Sequence, residues 1–161
     1  MIADMRTAPD ADGELAEMVL TFSLDGETFA VPVAHVNEII DPLPVTRAPC
    51  ADAFAPGLVN VRGAIAPLVD LRHRLGMPPA AIGETSRVLV LDLAIAGEAT
   101  KVAMLADGVD EITSTPMADL QAVSGLAVRW PVHLIRGVAR KGDALVVVLD
   151  VEAVFSPTSF H

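Results

Sequence analysis

From Val19 to Val33 the chain runs VLTFSLDGETFAVPV, two apolar stretches broken once at Asp25-Gly26. Neither stretch has the i, i+3, i+4 spacing of a helix, and both hold β-branched and aromatic residues, so the pattern predicts two strands. Asp-Gly between such runs is a strong hairpin signal, because it supplies residues that tolerate φ > 0. Helical spacing is confined to two short places. Asp70-Leu-Arg-His-Arg-Leu-Gly76 offers an N-cap acid, Leu71 and Leu75 four apart, and Gly then Pro as a stop. Asp150-Val-Glu-Ala-Val-Phe155 repeats that design, with Pro157 as terminator. Residues 76–86 read as a linker, and the polar, acidic residues 1–16 as a disordered tail.

The pattern is internally repeated. VLTFSLDGETFAVPVAHVNEII (19–40) and VLVLDLAIAGEATKVAMLADGVDEIT (88–113) each hold a strand, a Gly-Glu turn, a second strand and Val-x-Glu-Ile. Val36 matches Val109 and Glu38 matches Glu111, both 73 residues apart. Arg62-Gly63 matches Arg136-Gly137 at a spacing of 74, and the strand ending at Asp70 matches the one ending at Asp150 at a spacing of 80. The period is too long for a solenoid and indicates a two-copy duplication. Each half, about 17–76 and 86–156, carries about five short strands, the spacing of small barrels or sandwiches. The expected organisation is one domain over 17–156 with tails at 1–16 and 157–161.

Composition narrows the class. A length of 161 residues allows one compact domain, and hydrophobic residues at 52% with only 4% aromatics fit a core of Val, Leu, Ile and Ala. The net charge of -10 and the presence of only Lys101 and Lys141 as lysines exclude a nucleic-acid surface, which needs clustered cations. The acidic N-terminal stretch lacks the apolar region of a secretory signal. The longest apolar runs, such as ALVVVL at 144–149, are too short to span a bilayer. One cysteine permits no internal disulfide. A cytoplasmic protein is expected.

Carboxylates invite an acid–base reading on Asp70, Asp107 and Asp150, a hydrolase alternative. Caps explain Asp70 and Asp150 more simply, and a turn explains Asp107-Gly108. His35, His73, His133 and His161 have no metal-ligand spacing, and Cys50 lies in no nucleophile motif. Lys141-Gly142-Asp143 reads as a hairpin turn, and Trp130 as a plug over the core. No cofactor or metal is implied.

The ordered set FSLDGETFAVPVAHVNEII, the TRAP around Thr46–Pro49, GLVNVRGAIAPLVDLRHRLG and VLVLDLAIAGEATKVAMLADGVDEI resembles the CheW-like domain family over about residues 17–156. Ile112–Val132 matches it only loosely. The resemblance implies a mainly all-β fold, two SH3-like five-stranded β-barrels packed side by side, and a function without catalysis. It implies an adaptor that couples methyl-accepting chemoreceptors, through their helical cytoplasmic tip, to the regulatory domain of the histidine kinase CheA. Such a protein reaches membrane-associated receptor arrays through its partners, without inserting in the membrane. A helix-in-groove mode between the barrels would serve the receptor. An adaptor of a non-flagellar chemosensory pathway is the alternative within the family. Carried over residue by residue, Val36, Glu38 and Arg62 fall on receptor- or kinase-coupling positions. Val88 and Val109 would line the apolar groove, and Gly57 and Gly63 sit where the backbone must be permissive. Read as residues alone, Glu38 and Arg62 equally make a surface ion pair, and Val36 a core side chain.

Overall fold

A computed structural model describes residues 7–9, 15–47, 57–95, 97–116, 131–141 and 144–155. Cys50, Trp130, His161, the 142–143 turn and Pro49 lie outside the described residues, as does most of the loosely matching 112–132 stretch. The strands are β1 (Thr7–Pro9), β2 (Leu15–Leu24), β3 (Glu27–Pro32), β4 (Val36–Ile40), β5 (Thr46–Arg47), β6 (Gly57–Val61) and β7 (Ala64–Val69) in the first half. Those of the second half are β8 (Arg87–Ile95), β9 (Glu98–Ala106), β10 (Gly108–Pro116), β11 (Ile135–Lys141) and β12 (Ala144–Leu149). Helix α1 (Leu71–Arg74) follows β7, and α2 (Val151–Phe155) follows β12.

Local chemistry accounts for the turns and caps. Asp25 and Gly26 take φ of 53° and 78° and close β2 onto β3, the conformation a two-residue hairpin requires. Asp70 Oδ1 accepts from the His73 N–H at 3.2 Å, and Asp150 Oδ1 from the Ala153 N–H at 3.2 Å. Both acids therefore satisfy a first-turn donor that the helix itself cannot.

The strands assemble into two six-stranded sheets, each of five longer strands and one short one, β1 or β5. Barrel I has the order β10-β2-β3-β12-β11, and barrel II the order β4-β8-β9-β7-β6-β5. This corrects the expected division into barrels at about 17–76 and 86–156. Each barrel combines the leading hairpin of one half with the last three long strands of the other. The exchange is reciprocal down to register. β10 pairs antiparallel with β2 as β4 does with β8, and both ladders shift register at the same place, between Val109 and Glu111 and between Val36 and Glu38. The parallel pairing of Val148 with Ala30 is matched by that of Leu68 with Ala103. Backbone ladders do not distinguish two similar halves, so the strand pattern alone could not assign the partner.

Two further expectations are corrected. Arg62-Gly63 is the β6–β7 turn, whereas Arg136-Gly137 stands at the start of β11, so the two dipeptides are not equivalent. Residues 1–16 are not wholly a tail, because β1 pairs with Leu15–Glu17. β2 extends beyond the end of β3 there, and an uncovered strand edge readily takes another strand.

Strands β2, β3, β8 and β12 are buried on both faces of their sheets, which is why they read as near-continuous apolar runs, whereas β4 and β6 alternate. One face of each sheet meets the other sheet across a shared core of large side chains, including Leu20, Phe22, Phe29, Leu89, Leu91, Met104 and Leu149. The opposite faces enclose small cores: Val19, Ala30, Val146 and Val148 in barrel I, and Val59, Val61, Ala66, Val88, Val90 and Ala103 in barrel II. Val and Ala fill the narrow barrel interiors, and Leu, Phe and Met fill the wider space between barrels.

Candidate functional site

β4 stands at one end of the barrel II strand order and β6 close to the other. Yet Ile40 of β4 packs on the same small core as Val59 and Val61 of β6. The sheet has curled until its ends meet, and a hollow lined by Glu38, Ile40, Asp41, Leu43, Asn60, Val61 and Arg62 marks the seam. Arg62 Nε donates to Glu38 Oε1 at 2.8 Å across it. Arg62 takes a φ of 52° and Gly63 one of 87° in the β6–β7 turn, and the Gly63 N–H donates to Asn60 Oδ1 at 2.8 Å. The turn thus swings the Arg62 side chain, 77% exposed, over the seam. The register shift after Val36 sets Glu38 opposite Val90, on the barrel-interior side.

Glu38, Arg62 and Gly63 are therefore brought together. Val36 and Val109 lie at matched points of the two barrels, both half-buried and packed on the shared core. Val88 does not belong with them. It is 2% exposed, within the small core of barrel II opposite Ile40, and lines no surface groove. β8 carries apolar residues on both faces, so the sequence does not separate an interior valine from a surface one.

Gly57 has a different reason from Gly63. A Cβ there would collide with Val45 Cγ1 and sit 2.9 Å from the Thr46 carbonyl oxygen. Gly57→Ala is expected to push β5 off β6 and to destabilise the protein by about 1–3 kcal/mol, the cost of overpacking. Urea denaturation measures it; an unchanged midpoint would mean that β5 yields freely.

Four surface residues escaped the sequence reading. Ile39 and Ile112 are 41% and 48% exposed, and Ile65 and Leu145 are 63% and 55% exposed. They form two equivalent pairs. Ile39 stands opposite Leu89 in barrel II as Ile112 stands opposite Leu20 in barrel I. Ile65 and Leu145 are each four residues before the last residue of β7 and β12. On the barrel II face, Ile65 continues through Pro67 to Leu58, which is directly opposite Pro67. The repeat spacings of 73 and 80 would have flagged these positions, since an apolar residue exposed twice at equivalent sites is more informative than one exposed once.

The carboxylates considered for acid–base chemistry have structural partners. Asp70 and Asp150 cap helices, and Asp107 is ion-paired with Arg72. Asp70 and Asp107 border one hollow, and Asp150 is not part of it. Asp107-Gly108, expected as a turn, is the crossover from β9 of barrel II to β10 of barrel I. Among the described residues no group of three or more His, Cys, Asp and Glu could hold a metal ion, and no helix is long and apolar enough to cross a membrane.

The CheW-like domain family model matches residues 18–158. The chain is 26% identical over 151 residues to a chemotaxis protein CheW of Treponema pallidum, covering 94% of this chain and 89% of that one. It is 31% identical over 71 residues to Protein PilI of Pseudomonas aeruginosa, covering 44% of this chain and 40% of that one. The crystal structure of the scaffolding protein TtCheW from Thermoanaerobacter tengcongensis superposes with a TM-score of 0.76 at 22% identity, covering 87% and 88% of the two chains, and so shares the two-barrel fold. The chain belongs to the CheW-like domain family.

Proposed function

We propose that this chain couples methyl-accepting chemoreceptors to a CheA-type histidine kinase, by binding the kinase's regulatory domain and the helical cytoplasmic tip of the receptor. The observation that best supports this is the pair of equivalent apolar surface positions, Ile39 with Ile65 and Ile112 with Leu145. A partner of the same two-barrel build could dock on either barrel by one mode, which is what a linking scaffold needs. The half-buried Val36 and Val109, one per barrel, are the candidates for a receptor groove at the margin of the shared core. Work at the cytoplasmic face of the membrane follows from these partners. An adaptor of a non-flagellar chemosensory pathway is the second reading, drawn from the partial likeness to Protein PilI.

Titration of the purified chain against the host's CheA-type regulatory domain and against a receptor-tip hairpin tests the proposal. Saturable binding to both is expected. Binding to neither by a folded protein would remove the coupling role and leave the non-flagellar alternative.

Glu38 and Arg62 are the polar candidates in this function. Glu38→Lys and Arg62→Glu, made singly, are expected to weaken kinase-domain binding by about 3–10-fold, largely through a slower on-rate with altered salt dependence. The fold should survive, since an exposed ion pair contributes only about 0.2–1 kcal/mol. If both reversals bind both partners normally, the seam pair has no part in docking.

A further inference from the structure

The crossover from barrel II back to barrel I is fastened by a polar cluster that the two-barrel build does not demand. Asp107 Oδ2 accepts from the Asp25 N–H, at the tip of the β2–β3 hairpin, at 2.8 Å. The same oxygen accepts from Arg72 Nη2 of α1 at 2.5 Å. The Asp107 N–H donates to the Ser23 carbonyl at 2.9 Å, and its own carbonyl accepts from Thr85 Oγ1 at 2.7 Å. Arg72 Nη1 donates to the Pro78 carbonyl at 2.9 Å and lies 3.8 Å from Asp25 Oδ1. One carboxylate and one guanidinium therefore join the leading hairpin of barrel I to the helix, linker and β9 strand of barrel II. The Arg72 side chain is mostly buried, so salt screens this pair less than the seam pair.

The duplication provides an internal control. The pairings that relate the halves place Ala34 at the position equivalent to Asp107, and Glu152 at the position equivalent to Arg72. An alanine and a glutamate cannot make the pair, yet β3 crosses into β4 through a single 3-10 turn, Val33–His35. The crossover as such needs no clasp.

We propose that Asp107 and Arg72 are positioning residues that set the angle between the two barrels. Through that angle they shape the surface met by a partner that spans both. The second step rests on the adaptor reading; the first does not.

The test uses the full chain and two variants, Asp107→Asn, which keeps an acceptor for the Asp25 N–H, and Arg72→Gln. Backbone residual dipolar couplings are fitted separately for each barrel, and affinities for the receptor-tip hairpin and the kinase regulatory domain are measured alongside. One alignment tensor should fit both barrels of the unaltered chain. In either variant each barrel should keep its own good fit while the two tensors diverge. Receptor-tip affinity should then fall about tenfold, a free-energy change the size of one charged hydrogen bond, with kinase-domain affinity retained. A single common tensor in both variants overturns the proposal, as does loss of folding in both, which would make the pair a requirement of the fold. Diverged tensors with unchanged receptor-tip affinity overturn the functional step alone. An unaltered chain that binds neither fragment counts against the adaptor reading, and the couplings still decide the clasp.

Discussion

Phe22→Ala is expected to remove about 3–5 kcal/mol of stability, a large part of the ~5–15 kcal/mol that holds a domain folded. Phe22 is fully buried, directly opposite Phe29 on β3, with ring centroids 6.1 Å apart. Truncation leaves a cavity in the core that both barrels share, and Leu89, Leu91 and Met104 of barrel II lose packing together with the barrel I hairpin. The loss should appear in urea denaturation as one earlier transition, with amides of β8 and β2 losing hydrogen-exchange protection together. Val90→Ala, in the small interior of barrel II, removes far less apolar surface and should cost about 2 kcal/mol. Separate transitions for the two barrels in Phe22→Ala would show that the shared core does not join them.

The largest expected effect on binding belongs to Ile65→Asp and Leu145→Asp. Under the proposed function each weakens binding at one of two equivalent docking faces by about 30-fold or more, the size of a hot-spot truncation, and leaves the other face intact. Folding should be nearly untouched, because both side chains are more than half exposed. Either variant should still bind a kinase regulatory domain through its intact barrel but fail to build assemblies larger than a pair. Sedimentation of mixtures reads this directly. Large assemblies formed by both single variants would show that these faces are not the docking surfaces.

The parts of the fold that were legible are those governed by a few neighbouring residues. Asp25-Gly26 makes the expected hairpin because only such residues accept positive φ at two successive positions. Asp70 and Asp150 cap as expected because the acceptor and the orphan N–H are three residues apart. The seam was legible in part. Glu38 and Arg62 were open to an ion-pair reading, and they pair, but that they close a barrel depends on β4 and β6 meeting around a core. Val88 was misplaced because β8 is buried on both faces, which erases the alternation that would tell interior from exterior. The Arg-Gly match misled because two letters recur without structural equivalence, one pair bending a turn and the other opening a strand.

Strand content, the Asp25-Gly26 hairpin, the helix caps and the twofold repeat were written in the chain, since each arises from backbone preferences and side chains within a few residues. The reciprocal exchange of hairpins was not, nor was the division of apolar residues between one shared core and two small ones. Nor was the grouping of Asp25, Arg72 and Asp107 at a single crossover. Ladder hydrogen bonds are made by a backbone common to every residue, and the two halves carry nearly the same strands. Only the packing of large side chains between the barrels, and of small ones inside them, selects which hairpin joins which half.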